Sequence, residues 1–160
     1  MSQVTFNVAE QGHIVPIIFP VDGNAGSPVT AQGFSMAAWR HASIIVALAV
    51  GATPTSILLV ASTAASAGTT TALPFNYYAC LTASGDVLGA RTAIAATGIT
   101  SVSATDKVLY VIEIDSAELP DGKPYLQLQL TVPGSSELVG AFAILSGARN
   151  LGYPQATVLV

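Results

Sequence analysis

The sequence predicts an all-β protein, a single β-sandwich domain over residues 1–160 with about nine or ten strands and very little helix. Three observations carry that prediction. Short apolar runs are separated by clusters of Gly, Pro, Asn, Asp and Ser, as strands are separated by turns. Several of these runs alternate apolar and polar residues with a period of two. Only two stretches, each of about one or two turns, have the residues of a capped helix.

The elements follow in chain order. Val4, Phe6 and Val8 alternate with Gln3, Thr5 and Asn7, the pattern of a half-buried first strand. Residues 14–19 form a second strand, in which Pro16 calls for a sheet edge or a bulge because proline cannot donate to a ladder. Residues 22–28 are dense in turn formers and close that region. Ser35 is positioned to cap a short helix over residues 35–41, through Met36, Ala37, Ala38 and Trp39. Residues 43–50 and 57–61 are Ile-, Val- and Leu-rich pieces with Gly51, Thr53, Pro54, Thr55 and Ser56 around the break, and they read as the two strands of a hairpin.

The alanine-rich stretches 61–72 and 90–104 contain so much Thr, Ser and Gly that strand and loop are expected over helix. Residues 77–82 add a strand. In residues 108–115, Val108, Tyr110, Ile112 and Ile114 share one face, and Glu113 and Asp115 end the other. A one-turn helix at residues 116–119 is stopped by Pro120. Residues 125–132 put Leu126, Leu128, Leu130 and Val132 on a core face, with Tyr125, Gln127, Gln129 and Thr131 on a wet or partner face. Residues 138–146 are apolar on both faces, which calls for burial by the core on one side and by something else on the other. Residues 156–160 supply a terminal strand.

Composition bounds the function. Hydrophobic residues make up 51% of the 160 and charged residues 9%, and residues 42–85 carry no charge at all, whereas a soluble domain is roughly 25% charged. Either a membrane or other protein surfaces must cover such a chain. A spanning helix needs about 20 mostly apolar residues in a row, and the break at Gly51 to Ser56 denies it that length. Residues 1–10 have no basic residue ahead of an apolar core, so no secretory signal is expected, and synthesis as a soluble cytoplasmic protein is. A net charge of −4 and five basic residues give no footprint for nucleic acid. The single Cys80 lacks a cationic neighbour in sequence and is expected to be a small buried hydrophobe.

Chemistry-bearing residues are few. Of the two histidines, His13 has only Glu10 at ligand spacing, and a pair is not a metal site. His41 is expected to be structural or solvent-facing. Glu113, Asp115, Glu118 and Asp121 form the one acidic cluster; it is open to reading as a calcium site, an acid/base pair or a solvated edge. Arg91 and Arg149 read as surface or interface residues. No nucleophile, zinc or phosphate-loop motif is present. No catalytic, cofactor-binding or metal residue is therefore assigned, and a non-enzymatic protein without cofactor is expected.

Several separated runs carry a resemblance. Pro74-Phe75-Asn76-Tyr77-Tyr78, then Ala83-Ser84-Gly85-Asp86-Val87-Leu88-Gly89-Ala90-Arg91, then Tyr110-Val111-Ile112-Glu113-Ile114-Asp115 leading into Glu118-Leu119-Pro120-Asp121-Gly122-Lys123-Pro124-Tyr125, and Ala143-Ile144-Leu145-Ser146-Gly147-Ala148-Arg149 together resemble small structural proteins of tailed bacteriophages and prophages. The likeness spans residues 34–149 in order. It implies a virion component, most like a capsid decoration or cement protein, with a β-sandwich of jelly-roll-like connectivity. The implied partners are the major capsid protein and further copies of itself, a trimer ahead of a dimer, with terminal strands in the contacts between subunits. The implied location is the capsid exterior, after synthesis in the host bacterial cytoplasm. No membrane or nucleic-acid partner and no catalytic residue comes with it. A tail or neck component, a glycan-binding knob using Trp39, Tyr77, Tyr78, Tyr125 and Tyr153, and a hydrolase using the Glu113 to Asp121 acids are the alternatives.

Overall fold

The computed structural model describes residues 7–22, 29–30, 32–49, 56–66, 68–81, 86–100, 108–131 and 138–149. These form one helical turn, α1 (Val8–Gln11), a 3-10 turn at Ser116–Glu118, and eleven strands. In order the strands are β1 (His13–Asp22), β2 (Val29–Thr30), β3 (Phe34–Ser35), β4 (His41–Leu48), β5 (Ser56–Ser62), β6 (Thr70–Ala72), β7 (Phe75–Cys80), β8 (Thr92–Ile94), β9 (Val108–Asp115), β10 (Tyr125–Thr131) and β11 (Leu138–Ser146). A six-stranded sheet runs β1-β11-β4-β9-β7-β8. In the second sheet β10 is central, with β5 and then β6 on one side and the short β2 and β3 sharing its other side. All pairings are antiparallel. The chain passes between sheets at β1–β2, β3–β4, β4–β5, β6–β7, β9–β10 and β10–β11, which is compatible with jelly-roll-like connectivity.

The period-two pattern decides which side chains enter the core. Ile44, Ile112 and Leu145 of the first sheet and Ile57, Leu59, Leu126, Leu128 and Leu130 of the second are fully buried and join one hydrophobic cluster. Alternation fails where the chain covers its own outer surface. Gln127, on the outer face of β10, is only 6% exposed, because the stretch after β5 folds back over it. The Ala65 carbonyl accepts from both Gln127 Nε2 at 2.8 Å and the Gly33 N–H at 3.1 Å. A Cβ on Gly33 would lie 2.7 Å from that carbonyl oxygen, so the close approach needs glycine. The side expected to be wet or to meet a partner is closed at this point by the chain itself.

Four expectations are corrected. Residues 43–50 and 57–61 are not a hairpin: β4 pairs with β11 and β9, whereas β5 pairs with β10 and β6 in the other sheet. Each has an apolar inner face, and placing them in different sheets buries both in one core. Residues 35–41 form no helix. Ser35 Oγ accepts from the Ala37 N–H at 3.2 Å, and the Trp39 N–H donates to the Met36 carbonyl at 3.1 Å, closing a turn that delivers the chain to β4. Val8 belongs to a helical turn and not a strand, because Asn7 Oδ1 caps the Ala9 N–H at 3.1 Å; residues 1–6 lie outside the described residues, as do 23–28, 101–107 and 156–160. Much of the uncharged span 42–85 is buried within one copy, since β4 and β5 are interior strands of the two sheets. Other expectations match the structure. Pro16 lies in edge strand β1 beside a register shift, and the 3-10 turn stops before Pro120.

Candidate functional site

Antiparallel register puts residues of β4 directly opposite residues of β9: His41 faces Asp115 and Ser43 faces Glu113. All four point away from the core, where neighbouring side chains on one face come within about 5 Å. The His41 ring lies between two carboxylates. Nε2 donates to Glu113 Oε2 at 2.6 Å and Nδ1 donates to Asp115 Oδ1 at 2.7 Å. Ser43 Oγ donates to the same Glu113 oxygen at 2.7 Å. Carboxylates only accept, so a ring bonded at both nitrogens is an imidazolium. Burial works to lower the His41 pKa; hydrogen bonds to Asp115 and Glu113, and their negative charges, outweigh it and raise the pKa above 6.5.

Ser43, His41 and Asp115 share residue types with a nucleophilic triad, but the protons are in the wrong place. A triad serine gives its proton to a lone pair on Nε2. Here Nε2 is donating to Glu113, and Ser43 Oγ sits 3.4 Å from it. Nor do the four acids converge. Glu118 Oε2 accepts from the Asp115 N–H at 2.8 Å, Asp121 lies in the exposed turn that follows, and Glu113 and Asp115 hold opposite nitrogens of one ring. Among the described residues no group of three or more His, Cys, Asp or Glu side chains is placed to hold a metal ion. The geometry is a charge clamp across two neighbouring strands.

The clamp makes stability depend on pH. Folding raises the His41 pKa, so its contribution is fully present below about 6.5, the unfolded value, and is lost as pH rises through the folded value. With His41 34% exposed and Asp115 63% exposed, solvent screening limits the effect to about 1 kcal/mol or less. The urea midpoint is expected to fall as pH is raised above 6.5, and His41→Asn is expected to flatten that slope. An unchanged slope in the variant would assign the pH dependence to other groups.

The second feature is apolar. At the opposite end of the same outer face lies a groove of ≈ 540 Å³, lined among others by Pro20, Ala47, Leu109, Leu138 and Phe142, with Cys80 and Asp86 at one side. Among the described residues, six of the seven exposed large hydrophobic side chains belong to segments bordering it: Phe19 at 70%, Val21, Leu81, Val87 at 65%, Leu88 and Leu138 at 58%. Phe19 and Pro20 occupy a bulge in β1, where the pairing shifts between Ile18 and Val21. Cys80, expected to be buried, is half-buried, because the end of β7 lies at this opening. Phe142 in the groove and Ile144 beyond it are also half-buried, so the outer face of β11 is covered only in part by its neighbours.

The remaining sequence candidates are dispersed. His13 stacks on Trp39 with ring centroids 5.7 Å apart and planes 7° from parallel. Trp39 is buried. Tyr77 packs against Phe75 and Tyr110, whereas Tyr78 is on the outer face of the six-stranded sheet and Tyr125 on the second sheet. These four aromatics make no common platform; Tyr153 lies outside the described residues. Arg91 is exposed, and Arg149 Nη2 donates to Ser116 Oγ at 3.0 Å. The His41 clamp and the Phe19 rim were not read from the sequence. The recurrence of His41 and Ser43 two apart on one strand, and of Glu113 and Asp115 two apart on another, was the signal for the clamp. Among the described residues no helix is long and apolar enough to cross a membrane.

No family model and no curated protein matches the chain. One solved structure is similar to it, the crystal structure of the SPBc2 prophage-derived protein YomS, at 15% identity over 85% of this chain and 93% of that one, with a TM-score of 0.43. A likeness at that level decides neither fold nor function.

Proposed function

We propose that this chain is a non-enzymatic structural protein of a phage particle, which binds and stabilises the capsid shell as a homo-oligomeric decoration or cement protein. The observation that carries the reading is the apolar groove and its exposed rim, a surface suited to contact with protein. The resemblance of the chain to phage structural proteins names the kind of assembly. Its segments fall on β7, β9, β11 and the stretches at their ends, and among them Asp86 lines the groove with the exposed Val87 and Leu88 following it. On a shell of many identical sites, modest affinity per contact is multiplied by neighbouring contacts. The described aromatics, spread over different faces, favour this reading over a glycan-binding knob.

The copy number of the chain in purified particles tests it. A number close to that of the major capsid protein, or a simple large fraction of it, is expected, and particles lacking the protein are expected to break at lower temperature. A single small ring per particle would make it a neck or tail component, and absence from particles would end the reading.

A further inference from the structure

We propose that a polar pocket at the corner where β4 begins binds a carboxylate carried on an apolar body, with the Arg149 guanidinium as its anchor. The pocket has a volume of ≈ 360 Å³, the size of a small-ligand site. It lies at the other end of β4 from the apolar groove. The proposal goes beyond the capsid reading and rests on no part of it.

The walls come from three separate stretches that backbone hydrogen bonds tie together. Met36 and Ala37 belong to the turn before β4, Ser116 and Leu119 to the connection between β9 and β10, and Arg149 to the stretch after β11. The Met36 N–H donates to the Pro124 carbonyl at 2.8 Å, the Ser116 N–H to the Arg40 carbonyl at 2.7 Å, and the Arg149 N–H to the Ala38 carbonyl at 2.9 Å. Walls cross-bonded in this way have little freedom left to lose when a ligand enters.

Charge selects the ligand. Arg149 and Lys123 line the pocket together with Asp121, two cations against one acid in a chain whose net charge is −4. Each cation is held by a neutral hydroxyl and keeps its charge for a ligand: Arg149 Nη2 donates to Ser116 Oγ at 3.0 Å, and Lys123 Nζ donates to Thr71 Oγ1. Ser116 is itself a lining residue, so its bond fixes the guanidinium at the wall. The neighbouring acids are engaged elsewhere, Glu113 and Asp115 by the His41 ring and Glu118 by the Asp115 N–H. A guanidinium presents its N–H donors as a planar fork that fits a carboxylate through two parallel bonds, and the bond to Ser116 leaves donors for it. Asp121 raises the cost of a doubly charged anion such as phosphate. Met36, Leu119, Pro120 and Pro124 supply apolar wall. A cavity of about 150 Å³ holds a benzene ring, so ≈ 360 Å³ takes a ring and a short chain that ends in the acid.

Titration of the full chain with 3-phenylpropionate tests it, followed by the amide shifts of residues 116–123 and 147–149 in two-dimensional NMR. These shifts are expected to move saturably with a Kd of about 1 mM, as suits a probe of this size. The isosteric 3-phenylpropionamide lacks the charge and is expected to bind about 10-fold more weakly. Arg149→Gln is expected to weaken the acid by about 10-fold or more, and Arg149→Lys, which keeps the charge without the fork, by less. Arg149 is exposed, so both variants are expected to keep the wild-type melting temperature. Arg91→Gln, at an exposed position before β8, makes the same change of net charge and is expected to leave binding intact. A blocked glutamyl dipeptide run beside the free acid separates the two sources of such a group: tighter binding of the peptide assigns the pocket to a protein side chain, tighter binding of the free acid to a small molecule. Tighter binding of inorganic phosphate than of either would overturn the ligand class. Equal binding of acid and amide, an affinity unchanged in Arg149→Gln, or no shift up to about 20 mM would overturn the site.

Discussion

Gly98→Ala is expected to destabilise the protein by about 3 kcal/mol, roughly three times the effect of Gly122→Ala. Both glycines have positive φ, 73° and 77°, a region that costs an L residue about 1 kcal/mol. Their surroundings differ. Nothing lies within 4 Å of a Cβ built on Gly122, whereas one on Gly98 would sit 2.3 Å from the Ile57 carbonyl oxygen. That oxygen is backbone and is already engaged. Ile57 and Ile99 exchange two hydrogen bonds of 2.9 Å each, fixing the segment after β8 to the start of β5. Making room for a methyl group means giving up that bridge, at about 1 kcal/mol per bond. Urea denaturation of the two variants side by side reads the difference. Equal losses would mean that the strand shifts without breaking the bridge.

Leu128→Ala should cost about 3 kcal/mol, within the 2–5 kcal/mol seen when a large aliphatic side chain is removed from a core. Leu128 is fully buried in the centre of β10, opposite Leu59 of β5. β5 holds the backbone along one flank, and on the other β3 pairs with residues 125–126 and β2 with residues 129–130, so the sheet is pinned on either side of Leu128 and does not close over the void. Thr131→Ala, at an exposed position of the same strand, should change stability by about 0.5 kcal/mol or less. The urea midpoint should shift with unchanged slope, since both variants unfold the same surface. A Leu128→Ala loss near that of Thr131→Ala would mean that the two sheets do not pack as described.

The strands were legible where their alternation was strict. Residues 108–115 and 138–146 were read with the boundaries of β9 and β11, and the three leucines of residues 125–132 are the buried face of β10. Local chemistry misled where two outcomes shared the same residues. Ser35 has the hydroxyl of a helix cap, but it accepts from Ala37 in a turn between strands. Asn7 interrupts the expected alternation through Val8 by capping a helical turn. The clamp was legible only in halves, because 72 and 74 residues separate His41 from its two acids.

The sequence by itself determined that this is a β-protein, where most of its long strands lie, and that residues 126, 128 and 130 point inward. These follow from a side-chain period of two and from the preferences of turn residues, both of which act over a few neighbouring residues. Only the tertiary structure decided that β4 and β5 belong to different sheets, that the Ala65 carbonyl covers Gln127, that two carboxylates hold His41, and that the exposed Phe19 adjoins a residue lining an apolar groove. Each of these depends on which strand lies next to which. That choice is made by the burial of all the apolar faces together, and the local pattern of any one strand is compatible with several partners.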